Sequence, residues 1–228
     1  MKKPWTPLFE IPWVYRAWQA PFQEQKLAPI LRHNDLSSVK RVLDVACGPG
    51  TNAPHFQGMD YLGLDINPEY IEQARARYGM RFEVADATKY QVRDEPFDFI
   101  LVNSFFHHVG DDDSDRILAH LATLLTDDGQ IHVLDLVLPP NASAARLLAR
   151  MDRGDHPRPL DAWAKLLGQH FVADLFEPYD LGVAGLPLWK MLYFRGHPRR
   201  AGIDRRAGAS LKRRAPPPDG LAGPGAPA

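Results

Sequence analysis

The sequence predicts an α/β domain: a doubly wound, mostly parallel sheet of seven strands, with a final antiparallel strand and a helical N-terminal lead-in. Three observations predict it. Short apolar runs of the kind buried parallel strands use alternate with helical stretches from Val42 onward. The first run breaks into Cys47-Gly48-Pro49-Gly50, a turn that no strand survives. The last two runs, Phe171–Phe176 and Leu188–Arg195, lie close enough in sequence to pair antiparallel at an edge.

In chain order, Trp5 to Asn34 reads as an aromatic-rich helical lead-in, with Trp13, Val14, Ala17, Trp18, then Leu27, Ile30 and Leu31 as its apolar positions. Pro12 and Pro21 break it into pieces. Val42–Ala46 is the first strand and Tyr61–Asp65 the second. Pro68 to Tyr78 is a helix with Asn67 as N-cap and Pro68 at its first position. Arg81–Ala85 and Phe97–Asn103 are strands three and four. Ser114 caps an amphipathic helix to Leu125, and Asp127-Asp128-Gly129 turns the chain into a fifth strand, Gln130–Val137. Helical segments follow at Ser143–Met151 and Leu160–Leu167. The organisation is a helical lead-in or lid (1–36), a main domain (37–198) and a tail (199–228) whose Pro, Gly, Ala and Arg content reads as disordered.

Composition narrows the class. With 228 residues, 45% hydrophobic and 24% charged, the chain can bury one generous core. No apolar run reaches the roughly 18 residues of a membrane span, and the N-terminus lacks the apolar stretch of a signal peptide. The single cysteine, Cys47, rules out internal disulfides and fits a reducing cytoplasmic setting. The sequon Asn141-Ala142-Ser143 then has no use. Residues 199–228 hold seven Lys/Arg and two Asp and are therefore +5; the overall charge of −1 leaves −6 for the body. An acidic body argues against a nucleic-acid partner.

Four groups would gather at the carboxyl ends of consecutive strands, the ligand edge of an open α/β sheet. Gly48 and Gly50 let the backbone turn tightly and approach a ligand closely. Asp65, fifteen positions after Gly50, can accept both hydroxyls of a ribose. Asp86, after strand three, can accept from an exocyclic amine. Asn103-Ser104-Phe105-Phe106-His107-His108 leaves strand four. Together they would surround one elongated adenosine-like ligand.

This arrangement resembles the class I, Rossmann-like S-adenosylmethionine-dependent methyltransferases over about Val39–Val137, and more loosely to about His197. The family's acidic-x-Gly-x-Gly-x-Gly motif stands here as Asp44-Val45-Ala46-Cys47-Gly48-Pro49-Gly50, with Ala46 in place of the first glycine. The resemblance implies S-adenosylmethionine as cofactor, bound by Asp44 and the backbone of Ala46, Cys47, Gly48 and Gly50 at its methionine part. It puts Asp65 and Ile66 at the ribose, Asp86 and Ala87 at the adenine, and Asn103 and Ser104 under the sulfonium. It also puts Tyr15, in the lead-in, over the cofactor, and an acceptor cap at about 139–169, where Asp152-Arg153-Gly154 and Arg158 are candidates. His107 and His108 follow strand four where the methyl should point, and an imidazole titrates near neutrality; one of them orients or deprotonates the acceptor.

The rival is a nicotinamide enzyme, since Gly48-Pro49-Gly50-Thr51-Asn52-Ala53 fits Gly-x-Gly-x-x-Gly/Ala and Asp65 lies seventeen residues after Gly48. Against it stand Asp44 inside the strand and a segment from Thr51 to Gln57 too short for the usual crossover helix. Asp111-Asp112-Asp113 with Asp115 is not a calcium loop, because Arg116 and Ala122 stand where Gly and Glu are needed. No metal site is expected. Asn103-Ser104-Phe105-Phe106 lacks both prolines of the signature that amide- and adenine-methylating enzymes carry. The reading is methyl transfer to an oxygen or nitrogen of a small-molecule acceptor. The alternatives are an oxidoreductase, a cofactor-binding protein that does not methylate, and an enzyme whose basic tail recruits a macromolecule.

Overall fold

The computed structural model describes residues 22–200 except 93–94, 152–153 and 184, and leaves aside the side chains of Ala144 and Met151. Tyr15 and the tail beyond 200 therefore lie outside the described residues. The sheet has seven strands in the order β3-β2-β1-β4-β5-β7-β6. They are β1 (Arg41–Val45), β2 (Asp60–Asp65), β3 (Arg81–Val84), β4 (Phe97–Asn103), β5 (Leu125–Leu136), β6 (Phe171–Val183) and β7 (Leu186–Pro198). The first five pair in parallel, and β7 runs antiparallel to both β5 and β6. The chain winds outward from β1 to β3, then crosses back to β4, so β1 and β4 flank the point where the order reverses.

Apolar runs make β1 and β4 central because both faces of a central parallel strand are covered. Leu43, Val45, Ile100, Val102 and Val133 face α3 (Asp111–Leu124) and α5 (Leu160–His170) through Leu118, Leu121, Trp163 and Leu167. The indole N–H of Trp163 donates to the Leu136 carbonyl at 3.1 Å, fixing α5 on β5. Val42, Tyr61, Phe99 and Leu101 face the other way, onto α1 (Gln23–His33) and α2 (Pro68–Arg77) through Leu27, Ile30, Ile71 and Ala74. A third, smaller cluster joins Phe22, Leu136, Ala149 of α4 (Ala144–Met151), Leu181, Trp189 and Met191 beyond the end of β5.

The differences from expectation have local causes. The third helix starts at Asp111 with Gly110 before it, not at Ser114. Three aspartates in the first turn suit the positive end of the helix dipole, while the Ser114 hydroxyl turns inward and donates to the Val109 carbonyl at 3.3 Å. Strand five begins at Leu125, and the expected Asp127–Gly129 turn is a bulge: pairing jumps from Phe97–Leu125 to Phe99–Gln130. The last two strands are much longer than their apolar runs, and Pro178 is tolerated because β6 is an edge. Leu31, read as part of the apolar lead-in, is 47% exposed.

Candidate active site

The β1 turn is the centre of the site. Ala46, Gly48 and Gly50 have φ of +55°, +55° and +78°. Three left-handed residues in five turn the chain sharply at the end of β1, and Ala46 shows that the position of the missing first glycine still takes that conformation. At Gly50 a Cβ would meet Phe82 at 3.0 Å and Ala74 at 3.1 Å, so the loop lies directly on the core. At Gly48 a Cβ would meet nothing within 4 Å. The loop is therefore closed below and open above, the shape a backbone-held ligand requires. Cys47 is buried, and burial pushes its thiol up, so it packs as a small apolar group.

Asp65 ends β2 with both oxygens braced. Oδ2 accepts from the Gly48 N–H at 2.8 Å and Oδ1 from the Asn67 N–H at 2.9 Å. Each carboxylate oxygen keeps accepting capacity for a ligand hydroxyl. The next residue, Ile66, is 72% exposed at the same edge. Asp86, after β3, accepts from the Thr88 hydroxyl at 2.6 Å and its N–H at 2.9 Å, and pairs with Lys89 at 3.2 Å. The Thr88 hydrogen bonds hold its carboxyl below the usual range. Ala87 beside it is half-buried. Strand register brings these positions together: Val45 pairs with Leu64 and Val102, and Asp65 with Val84.

Asp44 has a different neighbourhood. It is fully buried on the α1–α2 face, beneath the loop, where it accepts from the Tyr61 hydroxyl at 2.8 Å and from Asn52 Nδ2 at 3.2 Å. Burial pushes its carboxyl up to about 7, against the pull of those two hydrogen bonds. Asn52 also accepts from Asn103 Nδ2 at 3.2 Å, tying the loop to the end of β4. Ser104 follows in a left-handed conformation, φ +57°, with its N–H on the Leu134 carbonyl.

His107 and His108 sit on a 3₁₀ turn, Phe106–His108, with ring centroids 4.0 Å apart. His107 is 3% exposed and His108 is exposed. Nδ1 of His107 donates to Asp135 Oδ1 at 2.6 Å, which fixes the orientation of the ring. The second oxygen of Asp135 accepts from the N–H groups of Phe106 at 2.7 Å and Phe105 at 3.2 Å. Complete burial would raise the Asp135 carboxyl, but the His107 charge and hydrogen bonds from His107, Leu136 and Phe106 hold it below its ordinary value. Gly154 presses against this turn, and the His156 N–H donates to the His107 carbonyl at 2.9 Å.

Arg158 clamps the turn that follows β4. It is 5% exposed and donates to the carbonyls of Phe106 and Val109, both at 2.7 Å, to the Ser114 hydroxyl at 3.1 Å and to Asp111 at 2.8 Å. Asp135 thus holds the N–H groups of the post-β4 turn and Arg158 its carbonyls. Asp152 and Arg153 lie outside the described residues.

Sequence reasoning missed Asp135, Asn52, Tyr61 and Lys26. The ammonium of Lys26, on α1, donates to the Ser104 hydroxyl at 3.2 Å. Among the described residues no group of three or more His, Cys, Asp or Glu could hold a metal ion, and no helix is long and apolar enough to cross a membrane.

Comparison with known proteins agrees with this geometry. Residues 42–129 match a family model described as a methyltransferase domain. A Methylobacterium radiotolerans protein named trans-aconitate 2-methyltransferase is 29% identical over 191 residues, covering 75% of this chain and 69% of that protein. A Pyrococcus horikoshii structure shares the fold with a TM-score of 0.65 at 18% identity, over 79% of this chain and 92% of that one. A Methanosarcina mazei structure described as a SAM-dependent methyltransferase shares it with a TM-score of 0.61 at 18% identity, over 74% and 96%. The nicotinamide reading fails on both counts, since only a 3₁₀ turn, Ala53–Phe56, stands between the loop and β2. A domain match that spans the glycine turn, relatives named as methyltransferases and a sheet of this order agree: residues 42–129 carry a methyltransferase domain, and the chain is similar to the class I, Rossmann-like S-adenosylmethionine-dependent methyltransferases.

Proposed function

We propose that the chain transfers the methyl group of S-adenosylmethionine to an oxygen or nitrogen of a small-molecule acceptor, with a carboxylic acid oxygen as the leading case. The observation that carries this reading is the His107–Asp135 pair at the carboxyl ends of β4 and β5, beside the small apolar cluster of Phe22, Ala149, Leu181 and Trp189. That cluster is the kind of wall that keeps water from a reacting centre. The relatives named trans-aconitate 2-methyltransferase support an organic acid as acceptor.

When bound, the cofactor supplies an electrophilic methyl group on a sulfonium. The residues of the chain bind and orient. The backbone of Ala46, Cys47, Gly48 and Gly50 lies along the methionine part, with Asp44 supporting it from below through Asn52. Asp65, with Ile66 beside it, receives the ribose, and Asp86 and Ala87 frame the adenine. Asn103 and Ser104 lie at the sulfonium. His107, held by Asp135, and His108 orient the acceptor and take its proton where it has one. Positioning of this kind is worth roughly 7–11 kcal/mol of barrier. A general base adds about 10²- to 10⁴-fold, and only for an acceptor that must lose a proton. A carboxylate is already ionised at neutral pH.

The test is an assay with S-adenosylmethionine against a panel of organic acids, phenols and amines, trans-aconitate included, reading S-adenosylhomocysteine and the methylated product by mass spectrometry. The expected result is product with at least one acid. Cofactor binding without product or S-adenosylhomocysteine for any member would contradict the reading.

A further inference from the structure

Gly154, between α4 and α5, is buried against His107 with no room for a side chain. A Cβ built on it would meet His107 Cδ2 at 2.2 Å and the His107 carbonyl oxygen at 2.4 Å. Ordinary carbon–carbon contact needs about 3.5 Å, so a methyl group here falls short of it by roughly an ångström or more. Gly154 is not left-handed, so space and not backbone conformation is what calls for glycine.

Neither backbone is loose at this contact. The segment that carries Gly154 is fastened to the post-β4 turn by the His156 N–H on the His107 carbonyl at 2.9 Å and by Arg158 on the carbonyls of Phe106 and Val109, both at 2.7 Å. The Leu138 N–H holds the Arg158 carbonyl at 2.8 Å, tying the same segment to the end of β5. The turn itself is held by the Phe106 N–H on Asp135 at 2.7 Å. The softest coordinate left is rotation of the His107 ring. Nδ1 and Cδ2 flank Cγ on opposite sides of an imidazole. Asp135 grips the first at 2.6 Å and the Gly154 backbone lies against the second, so together they block rotation about the Cβ–Cγ bond. The His108 ring, 4.0 Å away between centroids, adds a third wall.

We infer that Gly154 is a positioning residue of the active site: its bare backbone locks the His107 imidazole against Asp135, and through it the segment between α4 and α5 sets the orientation of that ring. This rests on the proposed function, in which His107 orients the acceptor. A side chain at position 154 turns the ring away from Asp135 and leaves the adenosine-directed groups, Asp65 and Asp86 toward β2 and β3, where they are.

The test compares the wild type with Gly154→Ala, and with Gly168→Ala as control, since a Cβ at Gly168 in α5 would meet nothing within 4 Å. Proton–nitrogen NMR of the histidine rings, with His107 assigned from His107→Gln, reads the placement. A short bond to a buried carboxylate moves a ring N–H proton far downfield; Gly154→Ala should shift that signal and Gly168→Ala should not. Turnover with S-adenosylmethionine and trans-aconitate, or the panel member that the wild type methylates best, reads the consequence. A displaced ring predicts kcat lower by roughly ten- to hundredfold, with the affinity for S-adenosylhomocysteine unchanged. The same substitution made in His107→Gln should add little, because the loss runs through the ring. If Gly154→Ala is too unstable to assay, His107→Ala is added to it, and a melting temperature that recovers shows the ring to be what the methyl group met. His107 signals that Gly154→Ala leaves in place, losses that add in full to those of His107→Gln, or no recovery in the double variant overturn the inference. A wild type that methylates no member of the panel would instead remove the proposed function on which it rests.

Discussion

Asp44 offers the sharpest physical test of the buried layer under the glycine turn. Asp44→Asn keeps the volume and removes the titration. In the folded chain burial raises this carboxyl from 3.8 to about 7, whereas in the unfolded chain it titrates near its ordinary value. Between these two values the folded state holds a proton that the unfolded state has released. Wild-type stability therefore falls as pH rises through that window and levels off above about 7. The full displacement corresponds to on the order of 4 kcal/mol, and about 3 kcal/mol of it is lost between pH 5 and 8. The variant has no such slope. Denaturant unfolding of both proteins at intervals over that range should show the difference moving in the variant's favour by about 3 kcal/mol. In a chain of this size that equals roughly 6–12 °C in Tm. A difference that stays flat with pH would show that Asp44 has the same ionisation in both states and that burial does not control it.

Three further substitutions test the post-β4 turn. Asp135→Asn puts an amide donor against the N–H groups that the carboxylate now accepts, and breaking so buried a charge pair should cost about 3–5 kcal/mol. Melting temperature should fall, and kcat should fall further than cofactor affinity; unchanged stability would refute the role of the pair. Arg158→Met strands the buried carbonyl of Phe106 and the Val109 carbonyl, and chemical denaturation should report a loss of about 3 kcal/mol. Asp111→Asn should cost less than about 1 kcal/mol, because the Asp111 side chain is 83% exposed. Equal losses from the two would contradict the clamp.

What the sequence made legible was what local patterning determines. The glycine turn, the strands that carry Asp65 and Asn103, and Asn67 as helix cap all follow from residues within a few positions of one another; Asn67 accepts from the Glu69 N–H at 2.9 Å. The missed residues depend on contacts distant in sequence. Asp135 stands inside the apolar run of β5, and its partner His107 lies 28 positions earlier. A buried aspartate in such a run was itself a signal, because a carboxyl is buried there only with donors to meet it. Asn52 sits in the short segment after the glycine turn, and its bond to Asn103 spans 51 positions. Lys26 meets Ser104 across 78 positions. Ser114 misled because a serine before an amphipathic run is the usual N-cap, whereas here its hydroxyl is needed inside, on Arg158. The length of β6 and β7 was hidden because an edge hairpin tolerates polar residues and proline that a central strand excludes.

The central claim is a cofactor held at the glycine turn with Asp65 at its ribose, and calorimetric titration of S-adenosylmethionine into the wild type and Asp65→Ala, with NADH as control, tests it most directly. The account predicts saturable binding to the wild type, a loss of about tenfold or more in the variant, equal to about 1.4 kcal/mol, and no NADH signal. Binding that Asp65→Ala leaves untouched, or a wild type that binds NADH and not S-adenosylmethionine, would contradict it.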